Sequence, residues 1–223
     1  MKFKELKNIK LEDLSIPIDP LREGELASEY SSRIIDYSAG KFAVTNRIIP
    51  PYNSTATHGD HCYDRLLDYI KNTYKDGNII DMGCASGELL DHIQKNTNCD
   101  RDKLYGNTIC IGEVKYARNT LGLSNVIPGD MRKCAEIFEE MEFNMILFHC
   151  VFQFIPDNER VDTMLNASKI LDKNGKIIVI DYKDNPCVKL PLDILNQYFE
   201  ISVVGDKSLN SMGTITEYTL KNG

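Results

Sequence analysis

NIIDMGCASGELLDHI, residues 78–93, decides the fold. Ile79 and Ile80 lead into Asp81 and two spaced glycines, after which Leu89, Leu90 and Ile93 recur at helical spacing. The stretch therefore reads as a strand, a tight turn and an amphipathic helix. Such a turn leaves free backbone N–H groups at the helix start, a common seat for ligands in α/β proteins. A phosphate-cradling P-loop would place Gly-Lys-Ser/Thr here, and none is present. The dinucleotide spacing G-x-G-x-x-G is also absent, because the turn runs Asp81-x-Gly83-x-Ala85-x-Gly87.

Downstream, strands and helices alternate. KLYGNT (103–108) reads as a strand, and Val114, Ala117 and Leu121 mark the next helix face. NVIPGD (125–130) is a short strand, followed by a brief helix around Ile137 and Phe138. NMILFHC (144–150) and KIIVIDY (176–182) are apolar strands flanking a helix with Val161, Met164, Leu165 and Leu171 on its face. Continuous apolar strands separated by helices imply a parallel sheet covered on both sides, a doubly wound, Rossmann-like α/β fold. FEISVVG (199–205) and TITEYTL (214–220) leave no room for a crossover helix, so they pair as an antiparallel hairpin at the sheet edge.

Upstream, Tyr63, Leu66, Leu67, Ile70 and Tyr74 mark a helix running to Gly77. KFAVTNRIIPPYNSTATHGD (41–60) is a long irregular stretch of the kind that usually carries function, and Leu26, Tyr30 and Ile34 indicate a helix before it. Residues 1–22 are charged, with Pro17 and Pro20, and read as an arm or a short ordered strap. The expected organisation is an N-terminal arm and helical/loop lid over 1–59 and a ligand-binding domain over 60–223.

The bulk properties set bounds. A chain of 223 residues, 26% charged and 42% hydrophobic, suits one globular α/β domain. A net charge of −7 argues against a broad nucleic-acid footprint. The charged start MKFKELKNIKLEDL has no apolar core of a signal peptide, and no run approaches the roughly 20 apolar residues of a membrane span. Seven scattered cysteines without a C-x-x-C pair suit a reducing, cytoplasmic setting. THGDHC brings His58, His61 and Cys62 together, but no second ligand pair follows, so no metal site is expected.

The acid-led turn resembles motif I of the class I S-adenosylmethionine-dependent methyltransferases, commonly D-x-G-x-G-x-G, and the likeness extends over residues 60 to 223. It implies a seven-stranded, mostly parallel sheet ending in the hairpin, with S-adenosylmethionine as cofactor. It further implies that Asp81 helps hold the methionine end, that Gly83 and Gly87 admit the ligand closely, and that Cys84 and Ala85 lie in the same turn. Ala85 stands where the family more often has glycine. The family's ribose-binding acid is replaced by Thr108, as in a G-x-T subset that includes cyclopropane-fatty-acid-synthase-like and tocopherol-type methyltransferases. There Glu113 would complete the ribose site; otherwise it simply opens an exposed helix with favourable dipole placement. GDM (129–131) matches the turn where Asp130 takes the adenine amine and Met131 packs on the ring, or it is a plain strand-ending turn.

Methyl transfer needs a nucleophile held in line and water excluded, and a base only where the acceptor must lose a proton. His149, the polar end of an apolar strand, is the candidate base and also lines the cofactor's reactive side; otherwise it is a packed histidine. Gln153 is placed to orient the acceptor. Tyr37, Lys41, Arg47, His58 and His61, with Asp60, form a candidate polar lid for a small, possibly anionic acceptor, or serve ordinary capping and solvation. A weaker similarity to capsule and surface-polysaccharide methyltransferases points to O-methylation of a sugar, sugar-nucleotide or phosphoramidate-type acceptor. The alternatives are C-methylation of a lipid- or quinone-like acceptor and a non-catalytic cofactor-binding regulatory subunit.

Overall fold

The fold is taken from a computed structural model, and the residues described are 1–10, 15–16, 42–43, 61–181, 190–204 and 214–221. Seven strands form one sheet: β1 (Ile79–Met82), β2 (Leu104–Thr108), β3 (Val126–Pro128), β4 (Phe143–His149), β5 (Leu171–Asp181), β6 (Phe199–Val204) and β7 (Thr214–Leu220). Their order is β3-β2-β1-β4-β5-β7-β6. The first five run parallel, and β7 lies antiparallel between β5 and β6. The order reverses direction between β1 and β4, so the carboxyl ends of these two strands mark the switch point, where ligands gather in open α/β sheets.

The parallel strands are apolar because both faces are covered: every residue of β1 and β3 is buried. The helices are α1 (Phe3–Asn8), α2 (His61–Thr73), α3 (Glu88–Asn96), α4 (Ile111–Asn119), α5 (Cys134–Ile137), α6 (Arg160–Ser168) and α7 (Leu192–Leu195). Leu89, Leu90 and Ile93 of α3, and Val114 and Ala117 of α4, face the core at the spacing read from the sequence.

One expectation changes. Leu171 is not on a helix face: α6 ends at Ser168, and Leu171 begins β5 opposite Phe143. β5 thus starts five residues before Lys176, and the register shifts where Met145 pairs with Lys176. The intervening Asp172-Lys173-Asn174-Gly175 is bulged, with the Asn174 N–H donating to Asp172 Oδ1 at 2.9 Å. At the start of the chain, where an arm or a short ordered strap is expected, residues 3–8 form a helix packed on the core. Leu6 of α1 is buried, and the Phe3 ring meets the Tyr105 and Phe138 rings at 5.5 Å each. The helix of 24–37 and most of the loop of 41–60 lie outside the described residues; Phe42–Ala43 pairs in parallel with Ser15–Ile16.

α2 is tied to the sheet by a polar clamp. The Tyr69 hydroxyl donates to Glu217 of β7, and Lys176 of β5 donates to Glu217 Oε2 at 3.0 Å. Burial raises the Tyr69 phenol, so it remains a donor at neutral pH. Tyr69→Phe is expected to lower unfolding stability by about 1 kcal/mol, read as a lower urea midpoint at unchanged slope.

Candidate active site

The turn after β1 is built from left-handed backbone. Gly83, Ala85 and Gly87 have φ of 75°, 45° and 83°. At Ala85, which is exposed, this conformation is strained by about 1 kcal/mol, which a glycine would not feel. Gly83 is where three segments converge: a Cβ there would lie 2.8 Å from Val151 Cγ1 and 3.3 Å from Met131 Cε. The turn after β1 thus touches the segments after β3 and β4. Gly87 does something else. A Cβ on it would meet Leu123 Cδ1 at 2.9 Å and Ala117 Cβ at 3.3 Å, so its smallness seats α3 against α4 and the loop beyond. Cys84 likewise faces inward; its Sγ would sit 2.6 Å from a Cβ on Gly106, and burial pushes its thiol well up.

Three carboxylates gather at the carboxyl edge of the sheet. Asp81, at the end of β1, is 3% exposed, and its Oδ1 is buried with no hydrogen-bond partner. Burial alone pushes its carboxyl up to about 8. At the end of β2, the Thr108 hydroxyl donates to Glu113 Oε2 at 2.5 Å, and the Cys110 N–H donates to Thr108 Oγ1 at 3.3 Å. Glu113 is half-buried rather than exposed, and burial raises its carboxyl although the Thr108 bond opposes the shift. The third, Asp130, follows β3. Its Oδ1 accepts the Arg132 N–H at 2.8 Å and its Oδ2 accepts Arg132 Nε at 2.6 Å. Burial raises the Asp130 carboxyl, with the Arg132 guanidinium pulling the other way. Each Asp130 oxygen is already used once, so an adenine amine would share an oxygen with Arg132. Met131 is half-buried beside the turn.

β4 ends in His149, half-buried, with Nε2 3.9 Å from Cys150 Sγ. Cys150 takes φ 53°, an uncommon conformation for a residue with a Cβ, while its N–H donates to Ile180 O at 2.8 Å. The bend sets Val151 against the glycine turn and stacks Phe152 on Phe148, with ring centres 4.9 Å apart. Gln153 sits in the 3-10 turn Phe152–Phe154; its side chain lies outside the described residues, as does that of His61, which opens α2. Tyr37, Lys41, Arg47, His58 and Asp60 also lie outside the described residues.

Residues not singled out in the sequence hold this edge together. Arg160, 5% exposed, donates from Nε to both Phe152 O and Ile155 O at 3.2 Å, and pairs with Asp157 at 2.7 Å. Its neighbour Glu159 accepts from Arg132 Nη1 at 2.8 Å. Consecutive residues at the start of α6 thus reach the segment after β4 and, through Arg132, the turn after β3. Arg160→Met is expected to cost about 2 kcal/mol of stability, because two buried carbonyls lose a charged donor. Thermal unfolding checks the loss. The sequence signal for Arg160 is faint, since an arginine in a first helical turn ordinarily reads as solvated.

A mostly parallel sheet of this order, with an acid-led glycine turn and a second polar site at the next strand, defines a doubly wound α/β fold with its ligand seat expected at the switch point. A family model described as a methyltransferase domain matches residues 80–179, from β1 into β5. Among solved structures, the fold is similar to a TehB-like SAM-dependent methyltransferase from Corynebacterium glutamicum, at 17% identity and a TM-score of 0.57, covering 87% of this chain and 98% of that one. It is also similar to the N-methyltransferase NodS from Bradyrhizobium japonicum in complex with S-adenosyl-L-homocysteine, at 14% identity and a TM-score of 0.59, covering 75% and 91%. A third likeness is to magnesium protoporphyrin IX methyltransferase from Synechocystis with bound SAM, at 14% identity and a TM-score of 0.53, covering 71% and 78%. No curated protein sequence matches the chain. Residues 80–179 thus read as an S-adenosylmethionine-dependent methyltransferase domain, with S-adenosylmethionine as the cofactor.

Proposed function

We propose that the chain transfers the methyl group to an oxygen of a small polar or anionic acceptor, with the cofactor held along the carboxyl ends of β1, β2 and β3. The residues fit that cofactor. The observation carrying the assignment is the buried, unpartnered Asp81 Oδ1 at the foot of the glycine turn, an acceptor that an ammonium would satisfy. When bound, the cofactor supplies an electrophilic methyl on a sulfonium. Thr108 and Glu113 hold the ribose hydroxyls, Asp130 takes the adenine amine while Arg132 fixes its orientation, and Met131 packs on the ring. Val151, pressed on Gly83, keeps water from the same turn.

His149 accepts the acceptor's proton, and Gln153 orients the acceptor. The lid residues Tyr37, Lys41, Arg47, His58 and His61 belong to the same reading, as does a cytoplasmic sugar, sugar-nucleotide or phosphoramidate-type acceptor in capsule or surface-polysaccharide synthesis. The net charge of −7 favours a small acceptor over nucleic acid. The neighbours named for their reactions include an N-methyltransferase and a porphyrin methyltransferase, so the choice of oxygen rests on His149 and the polar lid, not on kinship. Among the described residues, no helix is long and apolar enough to cross a membrane.

The test is calorimetry with S-adenosylhomocysteine, followed by transfer of isotope-labelled methyl to panels of sugar, sugar-nucleotide and phosphoramidate acceptors. Label in a product ether or ester is the expected result. Label only in amine or carbon products would reject the oxygen assignment, and no binding of S-adenosylhomocysteine would reject the site.

A further inference from the structure

Asn107 is the next-to-last residue of β2, which packs it out of solvent altogether at 0% exposure. Its backbone carbonyl accepts the Cys84 N–H at 2.9 Å, and its side-chain Oδ1 accepts the Gly83 N–H at 3.1 Å. Because Gly83 presents a donor, the side-chain amide must turn its oxygen that way, and the orientation of the group follows from chemistry. The amide nitrogen is then left over. Nδ2 is buried and has no partner. It lies 3.9 Å from where a Cβ on Gly129 would stand, so the amide spans the gap between the turns after β1 and β3.

A buried donor without an acceptor is unfavourable by about 1–3 kcal/mol, and a leucine of similar volume would fill the strand without that penalty. The site's neighbouring charged groups clarify what the donor is for. Asp81, Glu113 and Asp130 are acceptors, suited to an ammonium, ribose hydroxyls and an exocyclic amine. The ring nitrogens and ring oxygen of a nucleoside only accept, and no carboxylate can serve them. We propose that Asn107 is a further cofactor-binding residue: it pins the glycine turn through Oδ1 and donates through Nδ2 to an acceptor atom of the bound nucleoside. This rests on the cofactor reading above and extends it to the strand beneath the glycine turn.

The experiment uses the full chain and Asn107→Leu, with S-adenosylhomocysteine and adenosine titrated into each by calorimetry and the melting temperature of each ligand-free protein recorded. The variant is expected to bind both ligands at least about tenfold more weakly, while its ligand-free melting temperature stays close to the parent's, because loss of an unsatisfied donor offsets loss of the Gly83 bond. A purely structural asparagine would give the opposite pattern, a lowered melting temperature with affinity intact, and that overturns the proposal. If the variant does not fold, the side-chain amide nitrogen resonance of Asn107 in the parent protein decides: it is expected to move on saturation with S-adenosylhomocysteine, and an unmoved signal overturns the proposal. Failure of the parent chain to bind S-adenosylhomocysteine would instead remove the cofactor reading itself.

Discussion

His149→Gln is expected to lower kcat for a hydroxyl acceptor by about 10²–10⁴-fold, the range that a positioned base contributes, with cofactor affinity unchanged. The argument is one of position. β4 is buried along most of its length and ends in this one imidazole, half-buried at the switch point where the strand order reverses. Glutamine keeps the size and a hydrogen-bonding end but takes up no proton at neutral pH. Steady-state rates, with cofactor affinity measured separately, make the check. Intact turnover with intact binding would mean that the acceptor arrives already ionised, as a phosphoramidate-type oxygen can, and that His149 is not the base.

Asp81→Asn is expected to weaken binding of S-adenosylhomocysteine by about 10- to 150-fold, the worth of a charge-assisted hydrogen bond in a buried site. It should also change the response to pH. The Asp81 carboxyl lies at about 8 in the cofactor-free fold, while an unfolded chain gives about 3.9. Between these limits the folded protein keeps a proton that the unfolded chain has lost. The stabilising contribution is therefore complete below about pH 4 and fades as pH rises towards 8. The asparagine variant lacks this decline, so its stability relative to the parent improves with pH across that window. An ammonium arriving at Asp81 favours the ionised carboxylate, so binding near pH 7 expels a proton. Parent affinity then climbs from about pH 5.5 to 7, where an α-amino group remains protonated, and the variant's does not. Calorimetry in buffers of different ionisation enthalpy measures the proton directly, and equal proton release by parent and variant would refute the assignment.

Much of the fold was legible because the strands are short apolar runs bounded by turn residues. Ile79–Met82, Leu104–Thr108 and the hairpin strands Phe199–Val204 and Thr214–Leu220 fall where alternation and run length place them. Leu171 was misplaced because Asp172-Lys173-Asn174-Gly175 reads as a turn between helix and strand, whereas a bulge lets β5 run through it. Residues 3–8 are too polar in sequence to signal a core helix; only Phe3 and Leu6 carry the packing.

At the site, the glycine turn and the two strand ends could be read from residue type and spacing. The supports could not. Arg160 gives no sign in sequence of its contacts with Phe152 and Ile155, and the Arg132 bridge from Asp130 to Glu159 depends on tertiary placement. Nor does spacing show that the Cβ which Gly87 lacks would meet Leu123 and Ala117. Asn107 did leave a trace, as the one side-chain amide within β2.

The placement of Glu159 and Arg160 side by side has a practical bearing on redesign. A single short stretch, Pro156 to Arg160, braces the segments after β3 and β4, so a graft or length change there would loosen both together. Diversity is better introduced at Phe154, 40% exposed, which lies beside that brace but is not part of it.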